Sequence, residues 1–254
     1  MKRFITGFGT LLLFGLSGFT ANAAEAVTIA ADESYPPYMY RDGKPKGLYV
    51  DIMQEVAKRV PDYVITIEPL PWKRALAELE NGGFPAVLGA YRREAERPWI
   101  EHYSVPLHTE RVVAFCQTKK IRPNMKFPDD FTGLTFANNT GFLAAGAPFF
   151  KMVADGKITV EEGHSTENNV RKLVAGHVDC YVNDEITILQ ALKAIGSPAS
   201  GAGAATASLE TAHLTFGSAF KAPWKADFEK KVDVALQQMT EDGSIRKIVD
   251  QYTK

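Results

Sequence analysis

The sequence predicts an α/β protein built as two small lobes, on three observations. Apolar strand patterns alternate with helix-period segments from residue 27 onward, and this series breaks off near residue 110 and starts again. The chain of 254 residues is long enough for one or two domains with substantial cores.

In the first series, Val27–Ala31 is a short apolar strand. It runs into Asp32-Glu33-Ser34-Tyr35-Pro36-Pro37-Tyr38, a loop rich in turn residues and aromatics. Leu48, Ile52, Met53, Val56, Ala57 and Val60 recur at helical spacing. Tyr63, Ile65 and Ile67 then alternate with polar residues as a strand, and a helix over Trp72–Leu79 is stopped by Asn81-Gly82-Gly83. Phe84–Ala90 reads as a buried strand, so the order is that of a largely parallel sheet.

In the second series, Arg111–Gln117 and Leu134–Ala137 are strands, and a helix is expected after Gly141, divided by Pro148. Strand Ile158–Val160, helix Glu167–Ala175 and strand Val178–Val182 follow. Asp184 is placed to cap a further helix ending near Ala194. Gly196–Ser208, dominated by Gly, Ala and Ser, reads as a mobile surface loop. Leu214–Phe220 is a strand, and helices over Lys225–Met239 and Ser244–Gln251 finish the chain.

Lys2 and Arg3, an apolar stretch from Phe4 to Phe19 and the small residues Ala21-Asn22-Ala23 make a secretory signal peptide, 1–23, cleaved after Ala23. The stretch is interrupted by Gly7, Gly9, Gly15 and Gly18 and falls short of the roughly 20 residues that span a bilayer. No Cys stands beside the site to take a lipid, so a freely soluble protein of a Gram-negative periplasm is expected. A net charge of −1 argues against nucleic acid or an anionic membrane as a general partner. The five histidines show no ligand spacing, so no metal or other cofactor is expected. No G-x-S-x-G, phosphate loop or H-E-x-x-H motif is present. Cys116 and Cys180 stand as either a disulfide or two buried thiols.

Several landmarks then fall in order: Tyr35-Pro36-Pro37-Tyr38, Gly47-Leu48-Tyr49-Val50-Asp51, Pro71-Trp72-Lys73-Arg74-Ala75-Leu76, Arg97 ahead of Tyr103-Ser104-Val105-Pro106, Gly176-His177-Val178-Asp179 before Asp184, and Asp242-Gly243. Together they cover nearly the whole mature chain, which resembles the periplasmic solute-binding proteins of ABC importers for polar amino acids (extracellular solute-binding family 3). The resemblance implies the two-lobed type II periplasmic binding fold, with a ligand cleft between lobes joined by two crossover strands. Crossovers near Glu110–Val113 and Thr215–Ser218 put residues 24–111 and 217–254 in lobe one and 112–216 in lobe two. It also implies a monomer that closes on its ligand and docks on an inner-membrane permease.

By the same resemblance Arg97 takes the α-carboxylate of a bound amino acid, a role suited to the two parallel N–H donors of a guanidinium. Asp184 accepts from the ligand's ammonium. Tyr35 and Trp72 wall the pocket, whereas Tyr38 points inward. Asp32 and Glu33 flank it, and Thr140 and Gly141 offer free N–H groups ahead of a helix. Three departures stand out. Ala90, Arg92 and Glu94 replace Ser or Thr hydroxyls, Phe142 replaces the Thr of a Gly-Thr pair, and Pro85 replaces an Asp. Arg92 is either a second positive centre for the ligand or a solvent-facing residue.

Two other readings remain open on this scaffold. One is a periplasmic dehydratase of the cyclohexadienyl or arogenate type, with Glu33 or Glu185 as general acid. The other is a sensor that docks, when loaded, on a membrane receptor. In the second lobe the resemblance also brings Cys116 beside Cys180. Two buried thiols are expected there rather than a disulfide, because adjacent strands admit the bond only at favourable pairs.

Overall fold

The computed structural model describes residues 23–197 and 202–253, so residues 1–22 of the expected signal peptide lie outside the described residues. The first series folds as β1 (Glu25–Asp32), a small antiparallel sheet of β2 (Ser34–Tyr35), β3 (Met39–Asp42) and β4 (Lys44–Lys46), then α1 (Leu48–Arg59), β5 (Tyr63–Leu70), α2 (Trp72–Glu80) and β6 (Ala86–Tyr91). β1 pairs in parallel with β5 and β6, as the alternation requires. The helix period of α1 buries Leu48, Ile52, Met53 and Val56 against this sheet in one large core.

β7 (Ile100–Tyr103) and β8 (His108–Gln117) lead into the second lobe, with β9 (Thr135–Asn139), α3 (Gly146–Ala154), β10 (Thr159–Gly163), α4 (Thr166–Ala175), β11 (Cys180–Asp184) and α5 (Glu185–Ala194). Here β10, β9 and β11 are parallel, and cores form on both faces of the sheet. The chain returns along β12 (Ala202–Gly217) and ends with α6 (Lys225–Glu241) and α7 (Ser244–Thr253). One curled sheet in the order β10-β9-β11-β8-β12-β6-β1-β5 therefore runs through both lobes, held together at β8 and β12.

Four expectations are corrected. Residues 202–208, read as part of a mobile loop, are strand: β12 pairs with β8 from Ala202 opposite Gln117 to Ala212 opposite His108. Ladder bonds are made by the backbone, so small side chains do not prevent them, and Ala205 and Ala207 pack on the second-lobe core. The second crossover lies earlier than expected, because Ala212, Leu214 and Phe216 are buried in the first core, although 112–216 was assigned to lobe two. α3 starts at Gly146, with Pro148 in its first turn, where a missing N–H costs no intrahelical bond, so Pro148 does not divide the helix. Finally, Cys116 and Cys180 are not thiols. They stand directly opposite in the antiparallel β8–β11 ladder, 4.0 Å apart at Cα, and form a disulfide. Sequence spacing does not reveal that register.

Candidate functional site

Four segments converge where the lobes face each other: the β2 loop, the start of α2, the chain leaving β6, and the turn after β9. The turn after β9 depends on Gly141, whose φ of 81° lies in the left-handed region open to glycine. It brings Phe142 across the cleft, edge-on to Tyr35 at 5.4 Å and to Trp72 at 5.9 Å between ring centroids. Phe142 thus divides the cleft into two chambers.

The first chamber, closed down to about 30 Å³ of free space, is lined by Tyr35, Trp72 and Phe142 and by Gly89, Tyr91, Arg93 and Arg97. Arg97 is only 6 % exposed. Among the described residues its single side-chain hydrogen bond is a long one, 3.5 Å to the carbonyl of Gly141, and its guanidinium lies 5.8 Å from the Trp72 ring centroid. No carboxylate among the described residues lies within ion-pair distance of it, and burial pulls its pKa down to about 10. Arg93, by contrast, pairs with Glu210 at 2.9 Å and donates to the carbonyl of Leu143.

The second chamber is lined by Asp32, Glu33, Trp72, Lys73, Thr140, Phe142 and His164. Asp32 is buried and accepts from the N–H of Ser34, and desolvation raises its pKa to about 7. Glu33 stands nearer the rim beside Arg41.

Beneath Tyr35 and Tyr91 lies an acidic floor. Glu110, 1 % exposed on β8, accepts hydrogen bonds from the hydroxyls of Tyr35, Tyr49 and Tyr91. Burial, reinforced by nearby Asp184, pushes its pKa up to about 8. Asp184 caps α5 through the N–H of Thr187, and the same oxygen accepts from Tyr38 across the lobes at 3.1 Å. Its other oxygen is buried without a partner among the described residues, and desolvation raises its pKa.

Of the residues singled out in the sequence, Tyr35, Trp72, Arg97 and Phe142 meet in the first chamber, and Asp32, Glu33 and Thr140 in the second, with Trp72 and Phe142 common to both. Two expectations fail, and the alternative left open at Arg92 is decided for the residue that faces away from the cleft. Ala90 is packed in the first core, and Arg92 lies outside the cleft, paired with Glu94 and set over the Tyr103 ring. Strand period explains both: Gly89, Tyr91 and Arg93 share the cleft face, and the residues between them face away. The anion seat expected at Thr140 and Gly141 is not the start of a helix. The N–H of Thr140 is bonded to the carbonyl of Gly163, the N–H of Phe142 is bonded to that of Asn139, and the helix begins only at Gly146. Asp184 sits in the floor and does not line either chamber.

Sequence reasoning missed Gly89, Tyr91, Arg93 and Glu110. Gly89 carries a φ of 82° opposite a register shift between His213 and Leu214, a bulge, and a Cβ there would meet Met39 Cε at 2.7 Å. The period-2 step from Gly89 to Arg93 was the available signal for the first three.

Residues 27–254 match the model of the bacterial extracellular solute-binding proteins, family 3. Among curated proteins, the probable amino-acid-binding protein YxeM of Bacillus subtilis (strain 168) is 26 % identical, with 88 % of this chain and 81 % of that protein covered. The L-cystine-binding protein TcyA of the same organism is 25 % identical over 87 % of this chain and 79 % of its own length. Among solved structures, a histidine kinase sensor domain with similarity to periplasmic binding proteins superposes with a TM-score of 0.76 at 16 % identity, covering 91 % of this chain and 96 % of that one.

Proposed function

The chain belongs to the bacterial extracellular solute-binding proteins, family 3, and from that premise we propose that it is the ligand-capturing subunit of an ABC importer for an amino acid or a similar small zwitterion. One observation carries the reading: Arg97 is buried between two lobes, and no carboxylate among the described residues lies within ion-pair distance of it. An uncompensated buried charge is costly, and a ligand carboxylate held by two parallel N–H bonds removes that cost. Tyr35, Trp72 and Phe142 supply apolar walls for the ligand's body, and Glu110 lies behind Tyr35 and Tyr91 of that wall.

Closure around the ligand uses contacts from both lobes, because Arg97 belongs to the first and the Gly141-Phe142 turn to the second. The protein acts as a monomer in the periplasm after removal of its signal peptide, carries no lipid, and hands its cargo to an inner-membrane permease. Its work is binding rather than turnover.

A thermal-shift screen of ligand-stripped mature protein tests this. The panel holds amino acids, opines, polyamines, dicarboxylates and prephenate-like acids. A ligand present at a hundred times its Kd adds about 2.7 kcal/mol of apparent stability. A shift with amino acids that Arg97→Ala abolishes is the expected outcome. Silence across all carboxylate-bearing ligands, or turnover of prephenate or arogenate by the pure protein, would overturn the proposal.

A further inference from the structure

We propose that Arg93 is a second anion seat in the Arg97 chamber, so that the ligand is an amino acid carrying a second carboxylate. The inference rests on the proposed reading of that chamber and deepens it.

The first chamber is lined by two guanidiniums, Arg93 and Arg97, and by no carboxylate. The second is lined by Asp32 and Glu33 as well as by Lys73, Arg74 and His164. An acidic side chain therefore finds its favourable field in the first chamber. The two guanidiniums also repel each other: after burial, Arg93 is among the causes that lower the pKa of Arg97. A ligand with one carboxylate answers Arg97 and leaves Arg93 unanswered on the chamber side.

The bonds of Arg93 show which part of it is free. Nη1 pairs with Glu210 and donates to the carbonyl of Arg92, both at 2.9 Å. Nη2 reaches the carbonyl of Leu143 at a long 3.3 Å, and Nε is buried with no partner among the described residues. Nε and Nη2 form one edge of the planar guanidinium, and their N–H bonds run parallel. That edge is the fork that meets both oxygens of a carboxylate. Glu210 does not serve it, because it lies on the Nη1 side. A buried donor without a partner is costly, and a ligand carboxylate removes that cost.

The turn after β9 shows how far apart two ligand anions would sit. Arg97 reaches the carbonyl of Gly141 at 3.5 Å and Arg93 that of Leu143, on either side of Phe142. Both bonds are long, and both join the first lobe to the second. The two carbonyls belong to residues two apart, within about 7 Å of each other, a gap that the carboxylates of aspartate or glutamate span. With about 30 Å³ free, the chamber has room for only a water or two. A ligand must therefore draw the turn back, and its two carboxylates take over the donors that the two carbonyls held. A neutral amino acid takes over only one.

Isothermal titration of the mature protein tests this with L-aspartate, L-glutamate and their amides, L-asparagine and L-glutamine. The amides match the acids in size and lack the second charge. The wild type should bind the better acid about tenfold or more tighter than its amide. Arg93→Gln should bring that ratio to about one, with most of the loss on the acid. If Arg93→Gln does not fold because Glu210 loses its partner, the double variant Arg93→Gln with Glu210→Gln is read the same way. If Arg93 serves only to link the lobes, acid and amide weaken by the same factor, and that result overturns the inference. So does a wild type that binds the amide as tightly as the acid, or that takes neither while binding another amino acid. In those cases this inference alone fails, provided Arg97→Ala abolishes binding of the preferred amino acid. If Arg97→Ala changes nothing, or no amino acid binds, the reading of the chamber fails with it.

Discussion

Arg97 and Glu110 are both buried ionisable groups in the cleft region, and they are treated in opposite ways. Glu110 is 1 % exposed and surrounded by three hydroxyl donors, whereas Arg97 is 6 % exposed and, among the described residues, has one long bond to a carbonyl. A folding requirement alone would satisfy both. The difference separates a charge built into the protein's own network from one left for something that arrives later. It also implies that removing them has different costs.

The largest expected effect is the contrast in stability between Glu110→Ala and Arg97→Ala without ligand. Glu110→Ala strands the hydroxyls of Tyr35, Tyr49 and Tyr91 around a void, and should cost about 3–5 kcal/mol in urea unfolding. Arg97→Ala removes an unpaired buried cation and should leave stability unchanged or raise it by about 1 kcal/mol. Equal losses in the two variants would mean that Arg97 is a structural residue.

A smaller effect sharpens the same contrast through pH. The Glu110 carboxyl is raised to about 8 and that of Asp32 to about 7, both above their unfolded values. The native state therefore holds protons that the unfolded chain has lost. The stability this contributes is fully present below about pH 4 and is lost as pH rises through 7 and 8. Ligand-free protein should thus lose stability between pH 5 and 8, by up to about 1.4 kcal/mol per pH unit for each carboxyl. Asp32→Asn should roughly halve the slope below pH 7, and Glu110→Gln should do the same and also remove the part that extends from pH 7 to 8. A flat profile in the wild type would show that neither carboxyl is protonated in the native state.

The sequence made the walls of the site easier to read than its floor. Hydrophobic period located nearly every helix and long strand, because α1, α2 and β5 each bury one clear face. The two- and three-residue strands β2 and β4 are too short to show a period. The Ala- and Gly-rich half of β12 is strand because β8 lies beside it, information held elsewhere in the chain. Arg97, Tyr35 and Trp72 were found through a motif. Glu110 carried no motif, and its partners Tyr35, Tyr49 and Tyr91 come from three separate segments that only folding brings together. A lone acid ahead of the apolar run Val112–Cys116 was the one local hint.

The smallest effect concerns what covers Arg97 before a ligand does. Phe142 comes from the second lobe and meets Tyr35 and Trp72 of the first edge-on. Such pairs contribute about 0.5–1.5 kcal/mol each, so Phe142→Ala should cost about 1–2 kcal/mol of closure free energy when its contacts with both rings are lost. The buried core of neither lobe depends on this ring, which is only partly buried against the first. Global unfolding should therefore change little, while the unliganded population shifts toward open lobes. Small-angle scattering would detect a larger radius of gyration for Phe142→Ala than for wild type without ligand, and equal radii once ligand is bound. The same substitution joins the two chambers, so longer ligands should gain affinity relative to short ones. If the radii are equal without ligand, the aromatic contact does not hold the lobes together, and the buried Tyr38–Asp184 bond becomes the next interlobe contact to remove.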